Sequence, residues 1–160
     1  MMAGNLAIGA ILLRLGVALI AGAVLGWERE AKDKPAGLRT HVLVALGSAG
    51  FALLAAELIE GFRANQDALR IDPLRIIHGV ATGVGFLGAG AIMRSGGEVR
   101  GLTTAASIWV ASAAGVAIGF GYFALATGLV VFALLALVGL RAFEHHIGPK
   151  EPVDDADAED

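Results

Sequence analysis

Five apolar stretches, each close to 20 residues long, dominate this sequence and leave few folds open to it. They cover approximately residues 6–26, 40–56, 74–93, 102–118 and 122–140. About 20 apolar residues in an α-helix cross the ~30 Å hydrocarbon core of a bilayer. We therefore predict an all-α membrane protein with about five transmembrane helices, or four if one stretch is re-entrant.

The last two stretches are predicted to be separate helices joined by a tight hairpin. Only Gly119, Phe120 and Gly121 lie between them. One continuous helix over residues 102–140 would be about 58 Å long, nearly twice the thickness of the bilayer core. The chain must therefore turn at these glycines.

The composition of the chain excludes several functional classes. Only 17% of the 160 residues are charged, which is low for a soluble globular protein. None is Cys, and this absence excludes disulfides, thiolate metal sites and thiol nucleophiles. No basic run with interleaved aromatic residues occurs, so we expect no nucleic-acid partner. Six acids follow Lys150, and they predict a disordered acidic tail over residues 146–160 after a membrane domain over residues 1–145.

The Lys and Arg residues of the short loops predict the orientation, because cytoplasmic loops retain these residues. With the N-terminus outside, eight of them fall in cytoplasmic segments and three in outer segments. The eight are Arg29, Lys32, Lys34, Arg39, Arg94, Arg100, Arg141 and Lys150, and the three are Arg63, Arg70 and Arg75. No basic segment precedes the first stretch, so we expect a permanent span and not a cleaved signal peptide.

Small residues predict how the helices associate. Lipid tails are as apolar as Leu side chains, so helices in a bilayer gain stability mainly by close backbone approach. Three GxxxG pairs occur, at residues 22 and 26, 79 and 83, and 115 and 119. The fourth stretch also carries small residues at four-residue spacing, namely Thr103, Ser107, Ala111, Gly115 and Gly119. We expect these faces to pack tightly and the bulkier fifth stretch to face lipid.

Arg14 is the most costly residue to place in lipid, at roughly 2.5–3.5 kcal/mol for a central position. Counting 1.5 Å per residue from the predicted inner boundary places Arg14, Glu57 and His78 at a similar depth in the outer half of the bilayer. We hypothesise a buried polar cluster of these three residues. The alternative is that Arg14 alone extends to the lipid phosphates.

Motifs for cofactors and catalysis find little support. Residues 83–88 match GxGxxG, but they lie within an apolar stretch and no acidic residue occurs about 20 positions later to bind a ribose. Tight helix packing explains these glycines better, with a local break in the helix as the lesser alternative. Neither GxSxG nor HExxH occurs. We therefore expect no cofactor, no metal site and no enzymatic activity.

The predicted cytoplasmic loops contain acids as well as bases. Gly96 or Gly97 is expected to end the third helix, and Thr103 or Thr104 to cap the fourth. The loops place Glu28, Arg29, Arg39, Glu98 and Arg100 on one face. Retention of positive charge does not explain the acids, so this face is expected to contain ion pairs or to form a docking surface.

Four motifs, in this order, resemble those of the MgtC/SapB family of bacterial inner-membrane proteins. They are GWER at residues 26–29, AGLRT at 36–40, GFLGAG at 85–90, and VRGLTTAA at 99–106 followed by Trp109. The resemblance runs from about residue 13 to 142. The candidate functional residues within it are Glu28, Arg29, Gly37, Arg39, Thr40, Gly85, Gly88, Gly90, Arg100, Gly101, Thr103 and Thr104.

This resemblance implies a multi-pass protein linked to growth under magnesium limitation and, in some pathogens, to survival in macrophages. It also implies a regulator of membrane partners, with the F-type ATP synthase as a possible partner on the resemblance alone. Apart from the resemblance, we expect a membrane-protein partner or a homo-oligomer. This chain departs from some family members in two ways. They have a folded C-terminal cytoplasmic domain where this chain has the acidic tail. Some have Asn where this chain has Thr103, and the resemblance implicates that position in the contact with the synthase. We expect a regulator, with a small oligomeric ion transporter or channel as the alternative.

Overall fold

The computed structural model describes residues 6–64, 72–95 and 98–140, and these fold into five apolar helices. The helices are α1 (Ile8–Glu30), α2 (Leu38–Ala64), α3 (Pro73–Ala91), α4 (Leu102–Gly119) and α5 (Phe123–Leu134), the last continued by a π-helical turn over Leu135–Gly139. The first four are long and apolar enough to span a bilayer, and α5 with its π turn is a shorter apolar helix. The predicted all-α membrane fold is confirmed. The predicted acidic tail lies outside the described residues.

Helices α2 and α4 form the centre of the bundle, and α1 packs against both. Small side chains fill this centre, because Ala18, Ala45, Ala49, Ala111 and Ala114 are all fully buried. Helix α3 packs against α4 and less extensively against α2. The only buried residue of α5 is Ala126, which agrees with the prediction that the fifth stretch faces lipid.

Two of the three GxxxG pairs bring helices into close contact. A Cβ added at Gly22 would lie 2.6 Å from the carbonyl oxygen of His41, and one at Gly119 would lie 2.5 Å from that of Ala49. The glycines of α1 and α4 therefore face the α2 backbone. In contrast, Cβ atoms added at Gly79 and Gly83 would have no neighbour within 4 Å, so this pair does not pack within the chain.

The connection between α3 and α4 is a short β-hairpin, which the sequence analysis did not predict. Strand β1 (Met93–Ser95) pairs antiparallel with β2 (Glu98–Arg100), with Met93 opposite Arg100. A Gly-Gly pair between two short strands is a common hairpin signal. Helix α3 ends at Ala91, so the expectation that Gly96 or Gly97 ends the third helix is wrong. These two glycines themselves lie outside the described residues.

The expected threonine cap of α4 is wrong. The N-cap is Gly101, whose φ of +91° lies in the left-handed region, and it makes no side-chain cap. This conformation is available to glycine without steric cost. An added Cβ would also clash with the carbonyl oxygen of Ala91. The hydroxyl group of Thr104 is therefore available for a contact with another helix.

The hairpin predicted between α4 and α5 is present. Helix α4 ends at Gly119, and Gly121 has a φ of +87° in the turn that follows. The side chain of Arg14 lies beside Gly121. The first helix of the chain is thereby joined to the turn between the last two helices.

Candidate functional site

Three of the four sequence motifs meet at one end of the bundle, because α1 ends where α2 and α4 begin. The fourth reaches the same end through Gly88, which packs on Ala105 of α4. We call residues 26–41 and 99–107 the motif end. A buried hydrogen bond spans it: Nη2 of Arg29 in α1 donates to Oγ1 of Thr104 in α4 at 2.9 Å. The two residues are 75 positions apart in the sequence. The motifs thus form one continuous structure.

Arg29 is the central charged residue of the motif end, and it is only 4% exposed. Besides Thr104, it contacts Oε2 of Glu28 through Nη1 at 3.4 Å, and its Nε is buried without a hydrogen-bond partner. Glu28 also pairs with Lys32 one helical turn further on. Buried charges require such partners, because removal of one leaves the other uncompensated. Arg29 and Glu28 therefore form an ion pair, which is one of the two arrangements expected for this face.

The connection between α1 and α2 is fixed by Glu30 and Gly37. Oε2 of Glu30 accepts a hydrogen bond from the backbone N–H of Leu38 at 2.9 Å, which satisfies one of the free amides at the start of α2. The carboxylate lies so close to Gly37 that a Cβ there would clash with it. Gly37 thus leaves room for the Glu30 carboxylate, and a side chain at this position would displace that carboxylate from the Leu38 amide.

His41 is the functional candidate that the sequence analysis missed. Its side chain is fully buried, with Nδ1 2.8 Å from the carbonyl oxygen of Gly37 and Nε2 3.0 Å from Oγ of Ser107. Ser107 in turn donates to the carbonyl oxygen of Thr104 at 2.8 Å. His41 directly follows the AGLRT motif, and Ser107 belongs to the small-residue stripe of α4. These two positions were the available signals.

The predicted motif residues divide into an internal and an exposed group. The internal group is buried or half-buried and comprises Glu28, Arg29, Gly37, Thr40, Gly88, Gly101 and Thr104. The exposed group comprises Arg39, Gly85, Gly90, Arg100 and Thr103. Gly88 packs on Ala105 of α4, whereas Gly85 and Gly90 face open space. Helix α3 continues unbroken through all three glycines, so the predicted alternative of a local helix break is wrong.

The polar cluster hypothesised for Arg14, Glu57 and His78 is not assembled. Nη1 of Arg14 donates to the carbonyl oxygen of Gly119 at 2.8 Å. Oε1 of Glu57 accepts from the N–H of Leu6 at 2.9 Å. His78 is exposed on α3. Depth along a helix does not determine the side to which a residue projects, and here the three residues project to different neighbours.

Arg14 stabilises the end of α4 instead. Its guanidinium group lies at the C-terminus of the helix, where unpaired carbonyl groups carry partial negative charge. It is half-buried and hydrogen-bonded to protein, which differs from the alternative of a side chain extending alone to lipid phosphates. Glu57 keeps one carboxylate oxygen, Oε2, buried without a hydrogen-bond partner.

A cavity of about 600 Å³ opens between α2 and α3. Its lining is apolar apart from Ser48, and it includes Gly47, Phe51, Gly79 and Gly83. Ser48 is hydrogen-bonded to Ser112 of α4 at 2.8 Å. Across residues 6–64, 72–95 and 98–140, no group of three or more His, Asp or Glu side chains is placed to hold a metal ion.

Comparison with known proteins supplies the family context. The MgtC family model matches residues 15–146. The chain is 39% identical to Protein SapB of Bacillus subtilis (strain 168) over 140 residues, which cover 87% of this chain and 60% of that protein. It is 44% identical over 128 residues to the Putative magnesium transporter YhiD of Escherichia coli (strain K12), covering 79% and 58% of the two chains.

A third relative is Protein MgtC of Salmonella typhimurium (strain LT2), 40% identical over 130 residues that cover 81% of this chain and 52% of that protein. The chain thus spans between about half and three fifths of the length of these three relatives. No solved structure matches it.

Proposed function

Because this chain belongs to the MgtC family, we propose that it is a multi-pass protein of the bacterial inner membrane that regulates membrane-protein partners in connection with magnesium supply. The name of the Escherichia coli relative supports the link to magnesium. The name of the Salmonella relative supports the link to the MgtC proteins. The regulatory role is supported by the structure of the motif end. A partner of the F-type ATP synthase class is a candidate on family resemblance only.

The observation that carries this proposal is the division of the motif residues at the motif end. Arg29 and Thr104 are buried and hold α1 to α4, so they serve the fold. Arg39, in the first turn of α2, and Thr103, which directly precedes Thr104, are exposed. Exposed charged side chains beside a rigid support form a suitable surface for binding another protein. The proposed partner surface is therefore the exposed part of the motif end.

Crosslinking in membranes tests this surface. We expect mild crosslinking of the full chain, followed by affinity purification, to recover a membrane complex whose yield falls severalfold in Arg39→Ala. Arg75→Ala is the matched control, because Arg75 is also exposed but lies at the start of α3, at the other end of the bundle. Equal yields from both variants, or a preparation without any partner, would contradict the proposal.

The proposed orientation, with the N-terminus outside and the C-terminus inside, is tested by cysteine labelling. The chain contains no Cys, so each introduced thiol is a unique reporter. Lys34→Cys lies in the exposed connection between α1 and α2, and Tyr122→Cys lies in the exposed turn between α4 and α5. We expect a membrane-impermeant maleimide to label Tyr122→Cys but not Lys34→Cys in intact cells. The reverse pattern would invert the orientation.

A magnesium transporter is the second candidate, favoured by the name of the Escherichia coli relative. The glycine-lined cavity between α2 and α3 is the structural feature that it would use. Magnesium requires oxygen ligands or retained waters, and the lining of this cavity is almost entirely apolar. Proteoliposomes loaded with a magnesium-sensitive dye distinguish the candidates. Magnesium flux that is abolished by Gly83→Leu, which would fill the cavity, would establish the transporter in place of the regulator.

A further inference from the structure

The buried ring of His41 belongs to a short relay of polar atoms with an acceptor at each end. The relay runs from the carbonyl oxygen of Gly37 to Nδ1, and from Nε2 through Oγ of Ser107 to the carbonyl oxygen of Thr104. The three contacts are 2.8, 3.0 and 2.8 Å long, all within hydrogen-bond distance. Carbonyl oxygens only accept hydrogen bonds. Every proton in the relay must therefore come from the imidazole or the hydroxyl group.

A count of protons shows that the neutral relay is incomplete. Three contacts need three hydrogen atoms, but a neutral imidazole supplies one and the Ser107 hydroxyl supplies one. Ser107 can then donate either to Nε2 or to Thr104, and the other contact places two lone pairs against each other. An imidazolium ring carries hydrogen on both nitrogens and completes all three bonds.

We propose that His41 is a proton-binding site at the motif end, with the proton taken from the aqueous phase. On binding, an N–H bond forms at Nε2, the ring gains one positive charge, and Nε2 donates to Oγ of Ser107. Ser107 then donates to the carbonyl oxygen of Thr104, so no group in the relay is left without a partner. The bound proton adds one hydrogen bond between α2 and α4.

The groups around the ring give this proton a route to influence α1. Burial of the ring is the main influence opposing an imidazolium ion there, and the hydrogen bond to Gly37 favours it. The charged residues that act on His41 are both on α1: Arg29 repels an imidazolium ion and Glu28 attracts it. On the α4 side the ring faces the neutral residues Ser107 and Thr104. Thr104 takes part in both networks, since its hydroxyl accepts from Arg29 and its carbonyl accepts from Ser107. Proton binding is thereby coupled to the α1–α4 contact.

Nitrogen NMR of the imidazole rings tests the proposal directly. The sequence has four His residues. Replacing His78, His145 and His146 by Gln leaves His41 as the only labelled ring, so assignment does not depend on a His41 variant that folds. In lipid nanodiscs, we expect the ring to change from one protonated nitrogen at about pH 8 to two at about pH 5. An Nε2 that stays unprotonated down to about pH 5 would overturn the proposal.

Ser107→Ala identifies the relay as the cause. Removal of the Ser107 hydroxyl leaves a protonated Nε2 without an acceptor. We therefore expect the ratio of doubly to singly protonated His41 rings at about pH 6 to fall about ten-fold. This factor corresponds to the loss of one hydrogen bond to a charged group. The matched control is Ser112→Ala, which deletes another buried hydroxyl of α4. An unchanged ratio in Ser107→Ala, or an equal fall in Ser112→Ala, would refute the role of the relay. The readout is a ring proton and does not depend on the partner proposed above.

Discussion

Replacement of Gly22 by Ala measures how far the stability of the bundle depends on close contact between helix backbones. The added Cβ would lie 2.6 Å from the carbonyl oxygen of His41 and 2.8 Å from Cα of Val42. Ordinary contact begins near 3.4 Å, so α1 and α2 must separate locally by about 0.8 Å. Both neighbours are backbone atoms, and a change of side-chain rotamer cannot relieve the clash.

A gap of about 0.5–1 Å forfeits a quarter to a half of the dispersion attraction across a contact. Overpacking of this kind costs about 1–3 kcal/mol. Gly79→Ala is the matched control, because Gly79 also begins a GxxxG pair within a helix but has no atom within 4 Å of an added Cβ. Both variants gain the higher helix propensity of Ala, about 1 kcal/mol, so it cancels in the comparison.

We therefore expect Gly22→Ala to be less stable than Gly79→Ala by about 1–3 kcal/mol. The measurement is the free energy of unfolding in bicelles, by steric trapping at a low ratio of protein to lipid so that association between copies does not contribute. If the two variants have the same free energy within about 0.5 kcal/mol, close backbone contact does not stabilise the α1–α2 interface.

Two further predictions concern the polar contacts. Thr104→Val removes the acceptor of Arg29 and should lower the free energy of unfolding by about 1–3 kcal/mol. Thr103→Val, at the exposed neighbouring position, should change it by less than about 0.5 kcal/mol, and similar losses in both would contradict the buried contact. In a double-mutant cycle, the effects of Arg14→Gln and Glu57→Gln should add within about 0.5 kcal/mol, because the two side chains bind different partners. A larger coupling energy would place them in one cluster.

The helices were predictable from the sequence because the length of an apolar stretch is a local property. The hairpin at Gly121 followed from the same arithmetic of length against bilayer thickness. Helix ends were less accurate: α2 extends to Ala64, eight residues past the predicted end, because a helix continues into water beyond its apolar part. Helix α3 stops at Ala91 and the β-hairpin follows, where the apolar stretch had been extended to residue 93.

The site was predictable only in part, because its contacts depend on how three helices are rotated against one another. The charged motif residues were identified individually, but Arg29 meets Thr104 across 75 positions and His41 meets Ser107 across 66. No local pattern encodes these pairs. The failed cluster of Arg14, Glu57 and His78 has the same cause, since residue counting supplies height in the membrane but not direction around a helix.

The hydrogen bond between Arg14 and Gly119 has a consequence for biogenesis. Its donor and acceptor are 105 residues apart, so the ribosome makes the charged residue long before the carbonyl group that receives it. At about 5–20 residues per second, this delay lasts roughly 5–20 seconds. During that interval the nascent first helix carries a guanidinium group whose final acceptor has not yet been made. Lipid headgroups or the insertion machinery must accommodate this charge. The hydrogen bond to Gly119 can form only after the fourth helix has been made, so the order of synthesis constrains how this bundle is assembled.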